Sequence, residues 1–126
     1  MPTLNRVQLI GRLGKDPESR IFSSGNKKCT FTIAVDRKWK TSEGVVKEAT
    51  DWFNVEAWGG LGDICEKYLS KGRLVYLEGK LRTDRYEHEN ETRYFTRVIL
   101  SNMQMLDHKP EEEEVLEEEE EPAPGD

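Results

Sequence analysis

From Lys28 to Trp39 the chain reads KCTFTIAVDRKW, in which Cys29, Phe31, Ile33 and Val35 alternate with Thr30, Thr32 and Asp36. A period of two sorts side chains onto the two faces of a β-strand, and a helix cannot sort them that way. One face of this strand is therefore a core face. A second alternating stretch, ATDWFNVEAWG from Ala49 to Gly59, follows a polar connection, Lys40 to Val46. The pair predicts a long β-hairpin.

The same test finds three more strands. Leu4 to Leu13 places Val7, Leu9 and Leu13 on one face, with Gly11 as a bulge or a point of close backbone approach. Arg73 to Thr83 and Arg93 to Met105 form another pair, joined by a polar tip around DRYEHENET. The segment GKDPESRIFSSGNK, punctuated by Pro17 and Gly25, reads as a loop with a short extended piece near Arg20 to Ser23. After the break at Gly59-Gly60-Leu61-Gly62, the residues Leu61, Ile64, Cys65, Tyr68 and Leu69 make the apolar stripe of one amphipathic helix. Lys71-Gly72 signals its end. Three strands, a helix and two strands is the order of an OB-fold, an all-β architecture. It is a five-stranded Greek-key barrel with its helix between the third and fourth strands. An SH3-like barrel or an open α+β sheet shares that order.

By alternation Phe53, Val55 and Ala57 face the core, whereas Trp52 and Trp58 side with Asn54 and Glu56. A hydrated tryptophan leaves apolar surface in water at about 25 cal/mol per Å², so two on a polar face imply a partner that covers them. Cations surround the aromatics. Arg37, Lys38 and Lys40 flank Trp39, Lys47 precedes Trp52, and Arg82 and Arg85 lie beside Tyr86. Unstacked nucleic-acid bases fit this mixture, because stacking takes any base while cations hold the phosphates. For each aromatic the plainer alternative is a core or subunit-interface role, evenly balanced for Trp58. Trp39 shares core parity with Val35, so its exposure requires a bulge or a strand end.

The charge is divided along the chain. All 19 Lys and Arg precede Pro110, against 15 Asp and Glu, which gives that part a formal charge of +4. Residues 110–126 carry ten carboxylates and no cation, and their glutamate runs predict a disordered acidic tail. The expected division is a domain over residues 1–109 and a tail over 110–126. A net charge of -6 and a mean hydropathy of -0.80 describe the sum and neither part. With no apolar run near the length of a membrane span and no signal-like start at Met1-Pro2-Thr3, a soluble cytoplasmic protein is expected. Cys29 and Cys65 form no C-x-x-C pair and read as buried structural thiols, with no metal or other cofactor.

Catalysis finds little support. Asp36, Asp51, Glu56 and Asp63 show no metal-binding spacing, and neither His88 nor His108 has a nucleophile partner in sequence. The glycine turn at 59–62 lacks the Lys-Ser/Thr of a phosphate loop, so a plain strand-to-helix turn is the reading.

These residues together resemble the bacterial single-stranded-DNA-binding proteins. The likeness runs through LNRVQLIGRLGKDPESR, FTIAVDRKW, KEATDWFNVEAWG and EKYLSKGRLVYLEGKLRT to NMQML, covering essentially all of Met1 to Leu106. It implies an OB-fold homotetramer, nucleoid-associated, that binds single strands without sequence preference in replication, recombination and repair. The family's stacking positions correspond to Trp39, Trp52, Trp58 and Tyr86; the third is commonly Phe and the last commonly Trp in relatives. Its backbone-contact positions correspond to Arg6, Lys47, Lys71 and Arg82. Asn54 stands where some relatives carry a cation, and Asp84 lies in a segment that is often more basic. The tail PEEEEVLEEEEEPAPGD lacks the terminal Pro-Phe by which the family docks replication and repair partners. Val115 and Leu116 are the candidate substitute, and the alternative is a tail that acts as a competing polyanion. A primosome-type accessory module, working mainly through protein partners, is the competing function on the same barrel.

Overall fold

The structure, a computed structural model, describes residues 1–107. The boundary at 109/110, the acidic tail, Val115, Leu116 and His108 lie outside the described residues. Six strands and one helix follow in order: β1 (Val7–Leu13), β2 (Glu18–Ile21), β3 (Lys27–Lys40), β4 (Val46–Trp58), α1 (Gly59–Tyr68), β5 (Leu74–His88) and β6 (Glu91–Met105). They form one sheet of order β1-β5-β6-β4-β3-β2, which closes because β1 also pairs with β3.

The closed circuit β1-β3-β4-β6-β5 is the expected five-stranded Greek-key barrel, with its single helix between the third and fourth barrel strands. Closure rests on two short contacts. Arg12 and Leu13 oppose Ala34 and Ile33 in antiparallel pairing, and Val55 and Glu56 run parallel to Val98 and Ile99. Gly11 is the point of close approach and not a bulge: a Cβ there would lie 2.3 Å from the Ala34 carbonyl oxygen. The bulge falls at Glu78/Gly79, where Ser101 has no partner in the ladder and its Oγ donates to the Glu78 carbonyl at 3.0 Å.

Core residues are those that alternation selects. Leu13, Cys29, Phe31, Ile33, Val55, Ala57, Val75, Leu77, Val98 and Leu100 are buried together. In α1, Gly62 and Cys65 are buried and Leu69 follows just beyond the helix, but Ile64 is 45% exposed. The predicted stripe was one residue too wide. Gly62 lets the helix settle on the barrel, since a Cβ would stand 2.8 Å from the Ala57 carbonyl oxygen. Lys27 ties helix to strand by ion pairs to Asp63 and Glu66, which raise its pKa and lower that of Glu66.

Both thiols are free and, as expected, buried; burial pushes Cys29 upward and Cys65 up to about 12. Arg73, 5% exposed, donates from Nη2 to the Asp107 carbonyl at 2.8 Å and from Nε to its carboxylate at 3.2 Å. The Leu74 N–H donates to the same carboxylate at 3.1 Å. Burial alone would push the Asp107 carboxyl up. The Leu74 N–H and the Arg73 guanidinium outweigh it and hold the carboxyl below its ordinary value.

The hairpins depart from the sequence reading in one respect. The stretch DRYEHENET is strand almost throughout, and the reversal is made by Glu89 and Asn90 alone, at φ of 49° and 65°. Two positive φ values in a two-residue loop make a type I′ turn, whose twist matches that of the flanking strands. These strands run past the barrel, so neither face is buried and no hydrophobic alternation marks them.

Candidate nucleic-acid interface

The candidate surface begins on β4. Trp52 is 60% exposed and Trp58 40%, on the face carrying Asn54 and Glu56, whereas Val55 and Ala57 are buried. Cross-strand partners share a face, so Ala34, Thr32, Thr30 and Lys28 of β3 belong to the same surface. Trp52 lies against Gly14, where a Cβ would meet the ring's Cζ3 at 2.4 Å. The glycine makes room for the indole.

Glu56 carries the surface across to β6. Although it sits among exposed residues it is 7% exposed, because its carboxylate accepts from Trp58 Nε1 at 3.1 Å and pairs with Arg97 Nε at 2.6 Å. Arg97 reaches on to Asp84 at 2.7 Å and lies over the Phe95 ring at 5.7 Å. Arg82, Asp84 and Tyr86 on β5 stand opposite Arg97, Phe95 and Arg93. An unbroken outer face therefore links Trp58, through Glu56 and Arg97, to Tyr86, which is 47% exposed.

Trp39, 41% exposed, takes a different position. The β3–β4 ladder is in register from Lys28 to Lys40, with no bulge, and Trp39 pairs with Lys47 on the face opposite Trp52. It is exposed because the ribbon extends past the barrel and its core-parity side has nothing to bury against. Arg37 lies over the Trp39 ring at 4.9 Å and pairs with Asp51 at 3.0 Å.

The structure places the expected cations unequally. Lys47 stands opposite Trp39, and Arg82 shares a face with Tyr86, which lies four residues further along β5. Arg85 lies on the other side of the hairpin from Tyr86, opposite Tyr94, and pairs with Glu87 at 3.7 Å. Arg6 is held by Glu78 at 2.8 Å, away from the tryptophans. Lys71 lies in the turn after α1, where its N–H donates to Asp16 at 2.8 Å.

Sequence reasoning missed Phe22, Glu56 and Arg97. Phe22 stacks on Trp58 with centroids 5.7 Å apart and planes at 19°. The signal for it was the aromatic two residues after Arg20 in the short extended piece. No sequence signal announced the Glu56–Arg97 pair, which joins strands 41 residues apart.

The chain matches the model of the single-strand binding protein family over residues 4–106. The chain belongs to that family. A relative from Chlorobaculum tepidum, named single-stranded DNA-binding protein 1, is 46% identical over 109 residues, covering 84% of this chain and 67% of the relative. A second of the same name, from Xylella fastidiosa, is 38% identical over 117 residues, covering 91% and 86%. A solved structure, the Plasmodium falciparum SSB complex with ssDNA, superposes with a TM-score of 0.80 at 33% identity. It covers 85% of this chain and 98% of that one. Among the described residues no cluster of His, Cys, Asp or Glu is arranged to hold a metal, and no helix is long and apolar enough to cross a membrane.

Proposed function

We propose that the protein binds single-stranded DNA stoichiometrically and without sequence preference, as a non-enzymatic coat. The observation that carries this reading is the continuous outer face from Trp52 and Trp58 to Tyr86, with exposed rings beside cations, in a member of the single-strand binding protein family. Bases stack on Trp52, Trp58 and Tyr86, and the strand rounds the β3–β4 ribbon to reach Trp39. Lys47, Arg82 and Lys71 meet phosphates. Arg6 and Arg85 do so only by leaving Glu78 and Glu87.

The reading extends to replication, recombination and repair, in the cytoplasm on the nucleoid, as a homotetramer. One barrel offers few stacking rings, and joining barrels raises the effective affinity. Partner proteins dock through the acidic tail, with Val115 and Leu116 as the apolar element there. Fluorescence anisotropy of labelled oligo-dT and of a matched duplex tests the core of the proposal. Tight binding of the single strand with weak binding of the duplex is expected. Weak binding of both would favour a module that works through protein partners.

A further inference from the structure

Among the described residues, Arg6, Arg12, Lys15, Lys27, Arg37, Lys38, Arg73, Arg85, Arg93 and Arg97 pair with carboxylates. Arg20 and Lys28 make no ion pair among the described residues, and both lie over aromatic rings instead. The Arg20 guanidinium stands 5.1 Å from the Phe22 centroid. Lys28 Nζ stands 5.5 Å from Phe22 and 5.7 Å from Trp58. Register explains the grouping. Arg20 of β2 is opposite Lys28 of β3, and Lys28 is opposite Trp58 of β4, so the three form one row across three strands on a single face.

We infer that Arg20 and Lys28 are phosphate-contacting residues of the single-strand path, and that Phe22 is the positioning residue that holds them beside Trp58. This rests on the proposed single-strand binding and deepens it. Phe22 covers one face of Trp58, which leaves that indole a single face for a base. The phosphates flanking a base stacked there lie next to a cation that no carboxylate has to release. A phosphate reaching Arg97 must instead compete with Glu56 and Asp84. The row thus leads the strand from Trp58 across β3 to β2, a direction opposite to the one that leads to Tyr86. A cation held over an aromatic face keeps its charge while losing freedom, so it meets a phosphate at a smaller entropic cost.

The test is the salt dependence of oligo-dT binding by the full chain, in the unmodified protein and in Arg20→Gln with Lys28→Gln. Each phosphate contact removed lowers the slope of log affinity against log salt by about 0.7, so the double variant is expected to lose about 1.4. Phe22→Leu keeps an apolar filler and both charges; it is expected to lower the slope as well, and Phe22→Tyr to restore it. A merely structural Phe22 would change stability and leave the slope alone. Circular dichroism and denaturation midpoints establish that each variant is folded. An unchanged slope in the folded double variant or in folded Phe22→Leu overturns the inference. If the unmodified protein binds no oligo-dT, the functional reading itself fails.

Discussion

Glu56 is the residue at which fold and interface meet. Its carboxylate and the Arg97 guanidinium are each about one-tenth exposed, with the Trp58 indole N–H on the same carboxylate. Removing one member of such a pair strands the other charge, whereas removing both does not. Arg97→Met is therefore expected to destabilise the protein by about 3–5 kcal/mol, and Glu56→Leu with Arg97→Met by clearly less, as measured by urea denaturation. Equal losses would mean that the pair contributes nothing as a pair. Alternation in ATDWFNVEAWG correctly turned Trp52 and Trp58 outward, because period two depends only on local geometry. The same pattern placed Glu56 among exposed residues, since the partner that buries it lies on β6, beyond the reach of local periodicity.

At the level of the element, the two long hairpins project from the barrel as ribbons and carry Trp39 and Tyr86. The β5–β6 ribbon is held by its ladder and by cross-strand contacts such as Thr83 with Thr96 at 2.7 Å. Its turn places Glu89 at positive φ, which a glutamate side chain disfavours and Asn tolerates. Glu89→Asn is expected to stabilise the protein by about 0.5–1 kcal/mol, visible as a raised denaturation midpoint. The substitution also removes the exposed His88–Glu89 contact at 3.9 Å, which contributes little. A fall in the midpoint would contradict the account of the turn. Polarity made DRYEHENET read as a loop, because a ribbon with both faces in water has no apolar alternation to betray its period. Conversely, Ile64 fitted the helical stripe although the barrel leaves that flank of α1 uncovered.

For the molecule as a whole, the element order suited the barrel but also an open sheet, because closure depends on the meetings of β1 with β3 and of β4 with β6. Only the glycine at position 11 hinted at either. The chain leaves β6 through Asp107, locked to Arg73 and to the first residue of β5. Its carboxyl is held below the ordinary value when folded and relaxes upward on unfolding. The unfolded chain therefore takes up that proton first as pH falls, and the stabilisation is present at neutral pH and lost through the folded value, below about pH 4. Asp107→Asn is expected to be less stable than the parent at pH 7, with the gap narrowing under acid. A gap independent of pH would refute the assignment.

The central claim is that Trp52 and Trp58 face outward because unpaired bases complete their burial, and that the same strand reaches Trp39. Titrating the full chain with oligo-dT and with a matched duplex, while following intrinsic tryptophan fluorescence at low and high salt, tests it most directly. Strong quenching by the single strand alone, persisting in part at high salt, is the predicted result, because stacking outlasts the screening of phosphate contacts. Single-strand binding without quenching, or quenching that vanishes entirely with salt, would contradict it.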